Sequence, residues 1–327
     1  MAGSRAGLRS WRGAGGSGPG WRDKVASPAL DSRPNRGGTH CGNPDDRRQF
    51  DQVRLLSYNI KDGGLDERGD RLDALIEVVR MADPDILCVM EAAGWHPVGR
   101  PGQSGARLAR FESGVGMRGW ILETGSTSSL GLFLRPGVFP ADVSAARGTF
   151  FHGALVLTLA AGQSRPLVVV TTHLHPFSAT MRAAEAEALS WLAARASQSG
   201  PFVLVGDLNS VSAEDAARGL QPAQPPESWN VRLLDGRGDL DFTPVARLKR
   251  AVLVDCYRKM NPSVYGATDP TPAFDHGEAG LRIDFVLASP DLASRLRSCR
   301  VVTEPPAERA SDHYPLLTEF ELPPARG

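Results

Sequence analysis

Residues 53–59 read Val-Arg-Leu-Leu-Ser-Tyr-Asn, a short apolar run that stops on a carboxamide. Near-continuous apolar character over so few residues suits a strand covered on both faces. Next along the chain, Leu72, Leu75, Ile76 and Val79 recur at i, i+3, i+4 and i+7, one face of a helix. Asp83-Pro84 stops that helix, because proline disfavours helical backbone at the residue before it. Ile86–Met90 (ILCVM) is then a second buried strand, and it delivers Glu91 at its end. The unit is strand, helix, strand, with a polar side chain where each strand stops.

Further along, 130–134, 154–159 and 167–171 are strand candidates between Gly/Pro turns. Residues 179–196 suit a helix with Ser178 as N-cap. Residues 201–205 (PFVLV) form another buried run, ending on Gly206-Asp207. Ser212 and Asp215 have the spacing to box a short helix. Residues 247–259 read as one helix, 283–288 as a strand, and 315–322 as a closing strand. The segments 93–118, 221–246 and 261–280 read as loops in which substrate specificity would reside. Helices and strands alternate, but several strands follow one another directly, which predicts α/β layers on mixed sheets and not a barrel. The two halves each carry a strand–helix–strand unit, a faint internal duplication.

The 327 residues hold 37 basic and 37 acidic side chains, and 41% are hydrophobic, so a fibrous or wholly disordered chain is excluded. The neutral total conceals an asymmetry. Residues 1–50 carry nine Arg/Lys, four Asp/Glu and ten Gly, a net charge of +5, which leaves −5 for the rest. So little apolar surface cannot offset the entropy of ordering, so 1–50 is expected to be a disordered basic tail preceding a domain over 51–323. No run reaches the ~18 apolar residues of a membrane helix, and no membrane span is expected. Cys41, Cys88, Cys256 and Cys299 are far apart with no CxxC pair, which favours free thiols and a cytoplasmic setting.

Polar residues gather where buried runs stop: Asn59, Glu91, His173, Asp207, Asn209, Asp284, Asp312 and His313. Catalytic groups of open α/β sheets collect outside the carboxyl ends of strands. Asp284 lies within an apolar run (RIDFVLAS), so its carboxylate needs a partner. Carboxylate and amide oxygens suit Mg²⁺ or Mn²⁺, and histidines move protons near neutral pH.

In order, LLSYNI, CVMEA, TTHLHP, VGDLNS, RIDFVLAS and SDHYPL resemble the endonuclease/exonuclease/phosphatase (DNase I-like) superfamily over about 53–322. The resemblance implies a four-layer α/β sandwich, two central mixed β-sheets flanked by helices. It also implies metal-assisted hydrolysis of phosphodiester or phosphomonoester bonds, with Mg²⁺ or Mn²⁺ as cofactor. Position by position, Asn59, Glu91 and Asp312 would stand on the metal side and His173 would contact the scissile phosphate. Asp207 would serve the attacking water, Asn209 would bind phosphate, and Asp284 would hydrogen-bond the histidine His313.

Two departures narrow the family reading. Leu281-Arg282 stands where abasic-site enzymes place a tryptophan, and no apolar membrane-docking element of a sphingomyelinase is visible. The partner is then a phosphoester substrate, with nucleic acid among the candidates; a dedicated DNA or RNA nuclease and an idle binding module are the alternatives. Arg247, Lys249, Arg250, Arg258 and Lys259 are the candidate basic patch. Asp239 and Asp241 read as a solvated turn, and Trp95, Trp191 and Trp229 as core or loop anchors. His152, His175 and His276 are additional histidines without an assigned role. Oligomeric state is left open.

Overall fold

A computed structural model describes residues 23–24, 52–95, 105–124, 128–159, 165–216, 233–274 and 280–322. The first half runs β1 (Asp23–Lys24), β2 (Gln52–Asn59), β3 (Leu65–Asp66), β4 (Gly69–Asp70), α1 (Leu72–Ala82), β5 (Ile86–Met90), α2 (Ala106–Val115), β6 (Arg118–Leu122), β7 (Leu130–Leu134), β8 (Pro140–Ala146) and β9 (Ala154–Leu159). The second continues with β10 (Leu167–His173), α3 (Ala179–Ser199), β11 (Phe202–Asp207), α4 (Ala213–Ala216), α5 (Thr243–Arg250), β12 (Val254–Asp255), α6 (Cys256–Met260), β13 (Asp284–Ala288), α7 (Pro290–Ala293), β14 (Leu296–Val301), α8 (Ala307–Ala310) and β15 (Leu316–Glu321).

Two mixed sheets result, ordered β14-β15-β2-β5-β7-β6 and β1-β8-β9-β10-β11-β13-β12. Strand alternation places their faces. Leu55 points between the sheets, with Met90, Leu132, Val169, Val203 and Val286, whereas Leu56 and Tyr58 point outward against Leu75, Val79 and Phe111 of α1 and α2. On the other outer face, Leu204 and Phe285 pack under Leu189 of α3 and Leu248 of α5. Helix, sheet, sheet, helix is the four-layer sandwich expected from the sequence.

Each sheet has a parallel pair at its heart, β2 with β5 and β10 with β11, and these pairs bring Asn59, Met90, His173 and Asp207 to strand ends. The antiparallel neighbours complete the edge. Asp284, first in β13, lies opposite Asp207, and β15, paired with β2, begins just after Asp312-His313. The parallel neighbours β10 and β11 run so close that a Cβ on Gly206 would fall 1.8 Å from the Thr172 carbonyl oxygen. Gly206 also holds φ at 147°, so only glycine fits immediately before Asp207.

Helix boundaries follow local chemistry. Ser178 Oγ caps α3 by accepting the Met181 N–H at 3.3 Å. The Asp83 backbone, at φ 46°, closes α1 before Pro84.

Several expectations are corrected. The segment 93–118 is not all loop: α2 lies within it and buries Leu108 and Phe111. The 247–259 helix is two, because Val252 turns to φ 66° and Val254–Asp255 pairs with β13; Asp255 then caps α6 through the Arg258 N–H at 3.0 Å. Ser212 does begin a short helix, but Asp215 does not close a box there. Its carboxylate is buried against Arg258 and Arg282. Asp241 is buried, 3.7 Å from Arg182, and is not solvated. Trp95 is core, donating to the Gly63 carbonyl at 2.9 Å, whereas Trp191 on α3 is 72% exposed and anchors nothing. Trp229 and His276 lie outside the described residues, as does Cys41. Cys88, Cys256 and Cys299 are buried free thiols. Burial pushes Cys88 and Cys299 up to about 12, so both remain protonated. Among the described residues, no helix is long and apolar enough to cross a membrane.

Arg282, at the head of the RIDFVLAS segment, is fully buried. It bridges Asp215 at 2.9 Å and Asp255 at 2.7 Å, and its guanidinium lies 4.3 Å over the Phe285 ring. Arg258 shares Asp215 and donates to the carbonyls of Asn261 at 2.9 Å and Val264 at 2.7 Å. Two arginines against two aspartates thus tie α4, β12, α6 and the 261–265 loop to the root of β13. Removing one member strands buried charge, so Arg282→Met should lower the unfolding free energy by about 3–5 kcal/mol in urea denaturation; a loss under ~1 kcal/mol would show that the network is not holding these elements.

Candidate active site

Asn59, at the end of β2, is completely buried and sits at the centre of the strand-end cluster. Its Nδ2 donates to Glu91 Oε1 at 3.0 Å and to Asp207 Oδ2 at 3.1 Å, and lies 3.5 Å from His313 Nε2. Its Oδ1 accepts the Lys61 N–H at 3.1 Å. One carboxamide therefore joins a carboxylate of each sheet. Ser311 Oγ donates to the Asn59 carbonyl at 2.8 Å, pinning the SDH segment to the same strand end.

Glu91 follows β5 with φ at 60°, a turn that aims its carboxylate back across the sheet end. Its Oε2 accepts the Asp62 N–H at 3.1 Å. Burial, followed by the charge of Asp312, pushes the Glu91 carboxyl above the usual range. Asp207 uses Oδ1 to accept the Asn209 N–H at 2.8 Å, which leaves Oδ2 facing Asn59, with His173 Nε2 3.4 Å away. Asn209, at φ 43°, donates its Nδ2 to the Leu174 carbonyl at 3.0 Å, tying the ends of β10 and β11 together.

Asp284 finds the partner that burial demands: its Oδ2 lies 2.8 Å from His313 Nδ1. Burial works against a charged His313. The charges of Asp284, Asp269 and Asp312 outweigh it and hold the imidazole well above its ordinary pKa. His313 Nε2 then faces Asp269 at 3.7 Å, Asp207 at 3.9 Å and Asp312 at 4.0 Å. All eight residues singled out from the sequence converge on this one edge.

Two members escaped the sequence reading. Asp269 sits in the 261–280 loop, where no apolar run delivers it; reciprocal backbone bonds with Leu281 hold it at the site. Lys61, two residues past Asn59, reaches Asp312 Oδ2 at 3.3 Å and Asp62 Oδ2 at 3.7 Å. Burial disfavours its ammonium, yet Asp312, Asp62 and Glu91 keep its pKa above the ordinary lysine value. A basic residue this close to a strand end was the available signal.

Five carboxylates (Glu91, Asp207, Asp269, Asp284 and Asp312) thus crowd an edge where Lys61 and the charged His313 stand against them. Such an excess of buried negative charge fits a divalent cation, and the donors are mainly the hard oxygens that Mg²⁺ and Mn²⁺ take. Asp269, Asp312 and His313 present atoms within 4.8 Å of one another, a group able to hold a metal. Asn59, Glu91 and Asp312 offer an all-oxygen alternative.

The remaining basic and histidine candidates lie elsewhere. Arg247 pairs with Glu187 at 2.7 Å, Lys249 with Glu214, Arg258 is buried, and Lys259 donates to the Ala293 carbonyl at 2.6 Å. Three of the five basic residues of the expected patch thus face carboxylates of other elements, whereas Lys259 meets a carbonyl and Arg250 is exposed. His152 stacks on His173 at 4.5 Å, and His175 lies beside Phe151.

The sequence profile of the Endonuclease/Exonuclease/phosphatase family matches residues 56–313. The chain belongs to that family. No curated protein sequence matches it. Among solved structures it is similar to an AP endonuclease from Archaeoglobus fulgidus, at 20% identity and TM-score 0.57 over 83% of this chain and 100% of that one. It is also similar to the Neisseria 3′ phosphatase NExo bound to a product DNA hairpin, at 21% identity and TM-score 0.60 over 83% and 100%. A truncated TDP2 from Caenorhabditis elegans matches at 17% identity and TM-score 0.56 over 83% and 98%. At these identities the likeness establishes the fold, a DNase I-like sandwich.

Proposed function

We propose that this chain is a divalent-metal-dependent phosphoesterase that hydrolyses phosphodiester or phosphomonoester bonds by attack of water, with Mg²⁺ or Mn²⁺ as its cofactor. The observation that carries the reading is the crowding of carboxylates around Asn59 and Glu91 beside a buried His313 held by Asp284 at 2.8 Å. A phosphoester is anionic and repels nucleophiles, so hydrolysis near neutral pH needs cationic groups at the non-bridging oxygens and a base for water.

Asn59, Glu91 and Asp312 would hold the metal, which supplies charge neutralisation at phosphoryl oxygens. Glu91, whose carboxyl is pushed up beside Asp312, gains most from a cation between the two. Asp269–Asp312–His313 is the poorer ligand set, because a ligating imidazole must be neutral and the surrounding carboxylates favour the charged ring. His313 instead donates from Nε2 to a phosphoryl oxygen while Asp284 fixes its tautomer at Nδ1. Asp207 Oδ2 accepts the proton of the attacking water, and His173, 3.4 Å from it, contacts the phosphate. Asn209, whose amide also ties to the Leu174 carbonyl, would bind phosphate.

Every one of these residues falls between 59 and 313, inside the expected catalytic domain 51–323, so residues 1–50 would supply none of the chemistry, although Asp23–Lys24 pairs with β8 in the larger sheet. The buried free thiols accord with a reducing, cytoplasmic setting. Two structural neighbours are an AP endonuclease and a 3′ phosphatase bound to DNA, which places nucleic-acid phosphoesters among the substrates to test. Because Arg247, Lys249 and Arg258 already face carboxylates, the 247–259 segment favours short or small phosphoesters over long duplex, since gripping duplex requires Lys and Arg free to meet several phosphates.

Two outcomes are expected. Turnover of a generic phosphodiester should appear with Mg²⁺ or Mn²⁺, vanish on chelation, and fall at least about 100-fold in Glu91→Gln, the scale of a lost electrostatic or acid–base contribution; full activity in excess chelator would overturn the assignment. Asp284→Asn and His313→Ala should cost similar factors and the double variant little more, because the pair acts as a unit. Near-normal turnover in Asp284→Asn beside a dead His313→Ala would dissolve that unit.

A further inference from the structure

From catalytic-edge His173 a continuous run of aromatic rings leads outward to solvent. His152 stacks on His173 with centroids 4.5 Å apart and planes at 21°. Phe151 meets His152 edge-on at 4.7 Å and His175 at 4.4 Å, and His175 meets Phe177 at 6.4 Å. The outer rings are open: Phe151 is 45% exposed and Phe177 is 62% exposed.

These rings sit on two loops, one before β9 and one after β10, and a single buried carboxylate clamps both. Glu185 of α3 accepts the Phe151 N–H with Oε1 and the His175 N–H with Oε2, each at 2.8 Å. Fully buried Arg182 donates to the carbonyls of His175 at 3.1 Å and Pro176 at 3.3 Å. His175 Nδ1 accepts the Phe177 N–H at 3.0 Å. The wall is therefore preorganised, and its ordering entropy has been met in folding instead of at binding. It is also uncharged. Burial, aided by His175, lowers His152 to about 4; burial, aided by Arg182, lowers His175 below its usual value. Neutral imidazole and phenyl rings bring no positive charge to a second phosphate but do offer stacking to a planar heteroaromatic ring.

We propose that Phe151 and Phe177, backed by His152 and His175, form a subsite that stacks a nucleobase of the substrate. A phosphoryl group held at His173 would leave its ester substituent lying along this wall. The substrate class is then a nucleoside phosphoester in single-stranded form, whose bases are free to stack without regard to sequence. The inference rests on the phosphoesterase reading and names the substrate of that same site.

The test compares a thymidine dinucleotide with the same phosphodiester bearing abasic sugars, in the full chain with Mg²⁺, for wild type, Phe151→Leu, Phe177→Leu and Phe177→Tyr. Leucine keeps apolar bulk and removes the π-face, whereas tyrosine restores it. The wild type should prefer the base-bearing ester, chiefly through KM. Each leucine variant should shrink that preference about tenfold, within the ~1–3 kcal/mol of a stacked base, and Phe177→Tyr should retain it. Equal losses on both substrates, or leucine variants that keep the preference, would overturn the subsite. Binding is read separately as fluorescence quenching of a 2-aminopurine dinucleotide with a non-hydrolysable phosphonate linkage. If no phosphodiester is hydrolysed yet quenching still depends on Phe151 and Phe177, the phosphoesterase reading fails and the base subsite stands. Quenching that ignores both rings counts against the subsite.

Discussion

Negative charge forced together at the meeting edge of two sheets is the constraint around which this molecule is arranged. Folding brings Glu91, Asp207, Asp269, Asp284 and Asp312 to one place, where desolvation makes each unpaired charge costly. The fold meets part of that cost internally. Asn59 Nδ2 binds a carboxylate from each sheet, Lys61 reaches Asp312, and Asp284 is matched by a charged His313. In the proposed reading, what remains uncompensated would give the molecule its affinity for a cation and, through it, for a phosphoryl group. Catalytic capacity and electrostatic strain are here the same feature.

The rest of the structure keeps that edge in register. Parallel pairing of β2 with β5 and β10 with β11 aligns Asn59 with Met90 and His173 with Asp207. Gly206 lets the second pair close. Behind the edge, the arginine–aspartate network around Arg282 anchors the segments that carry Asp269 and Asp284. Charge is thus balanced where it is structural, among Arg258, Arg282, Asp215 and Asp255, and left unbalanced where chemistry is to happen.

The architecture was largely legible in the sequence because each central strand is a short apolar run that ends on a polar side chain. That signal is local, and it found all eight residues from Asn59 to His313. Signals that depend on distant partners were not legible. Asp269 arrives through backbone bonds between a loop and Leu281, so no periodicity announces it. In the basic run 247–259, Glu187 of α3 and Glu214 of α4 pair with Arg247 and Lys249, partners that no local pattern announces. Arg282 had no role assigned from the sequence, because its partners Asp215 and Asp255 lie 67 and 27 residues away. Helix α2 was hidden because Gly105, Gly114 and Gly116 bracket and interrupt its apolar face, the texture of a loop.

Anomalous diffraction from crystals soaked in Mn²⁺ tests most directly whether the excess of carboxylates at Glu91 and Asp312, beside Asn59, forms a metal site. The expected peak is ligated by Glu91 and Asp312 beside the Asn59 carboxamide, with His313 still hydrogen-bonded to Asp284 and not bound to the ion. A peak on Asp269, Asp312 and His313 that leaves Glu91 without metal, or crystals that take up no ion at the strand edge, would contradict it.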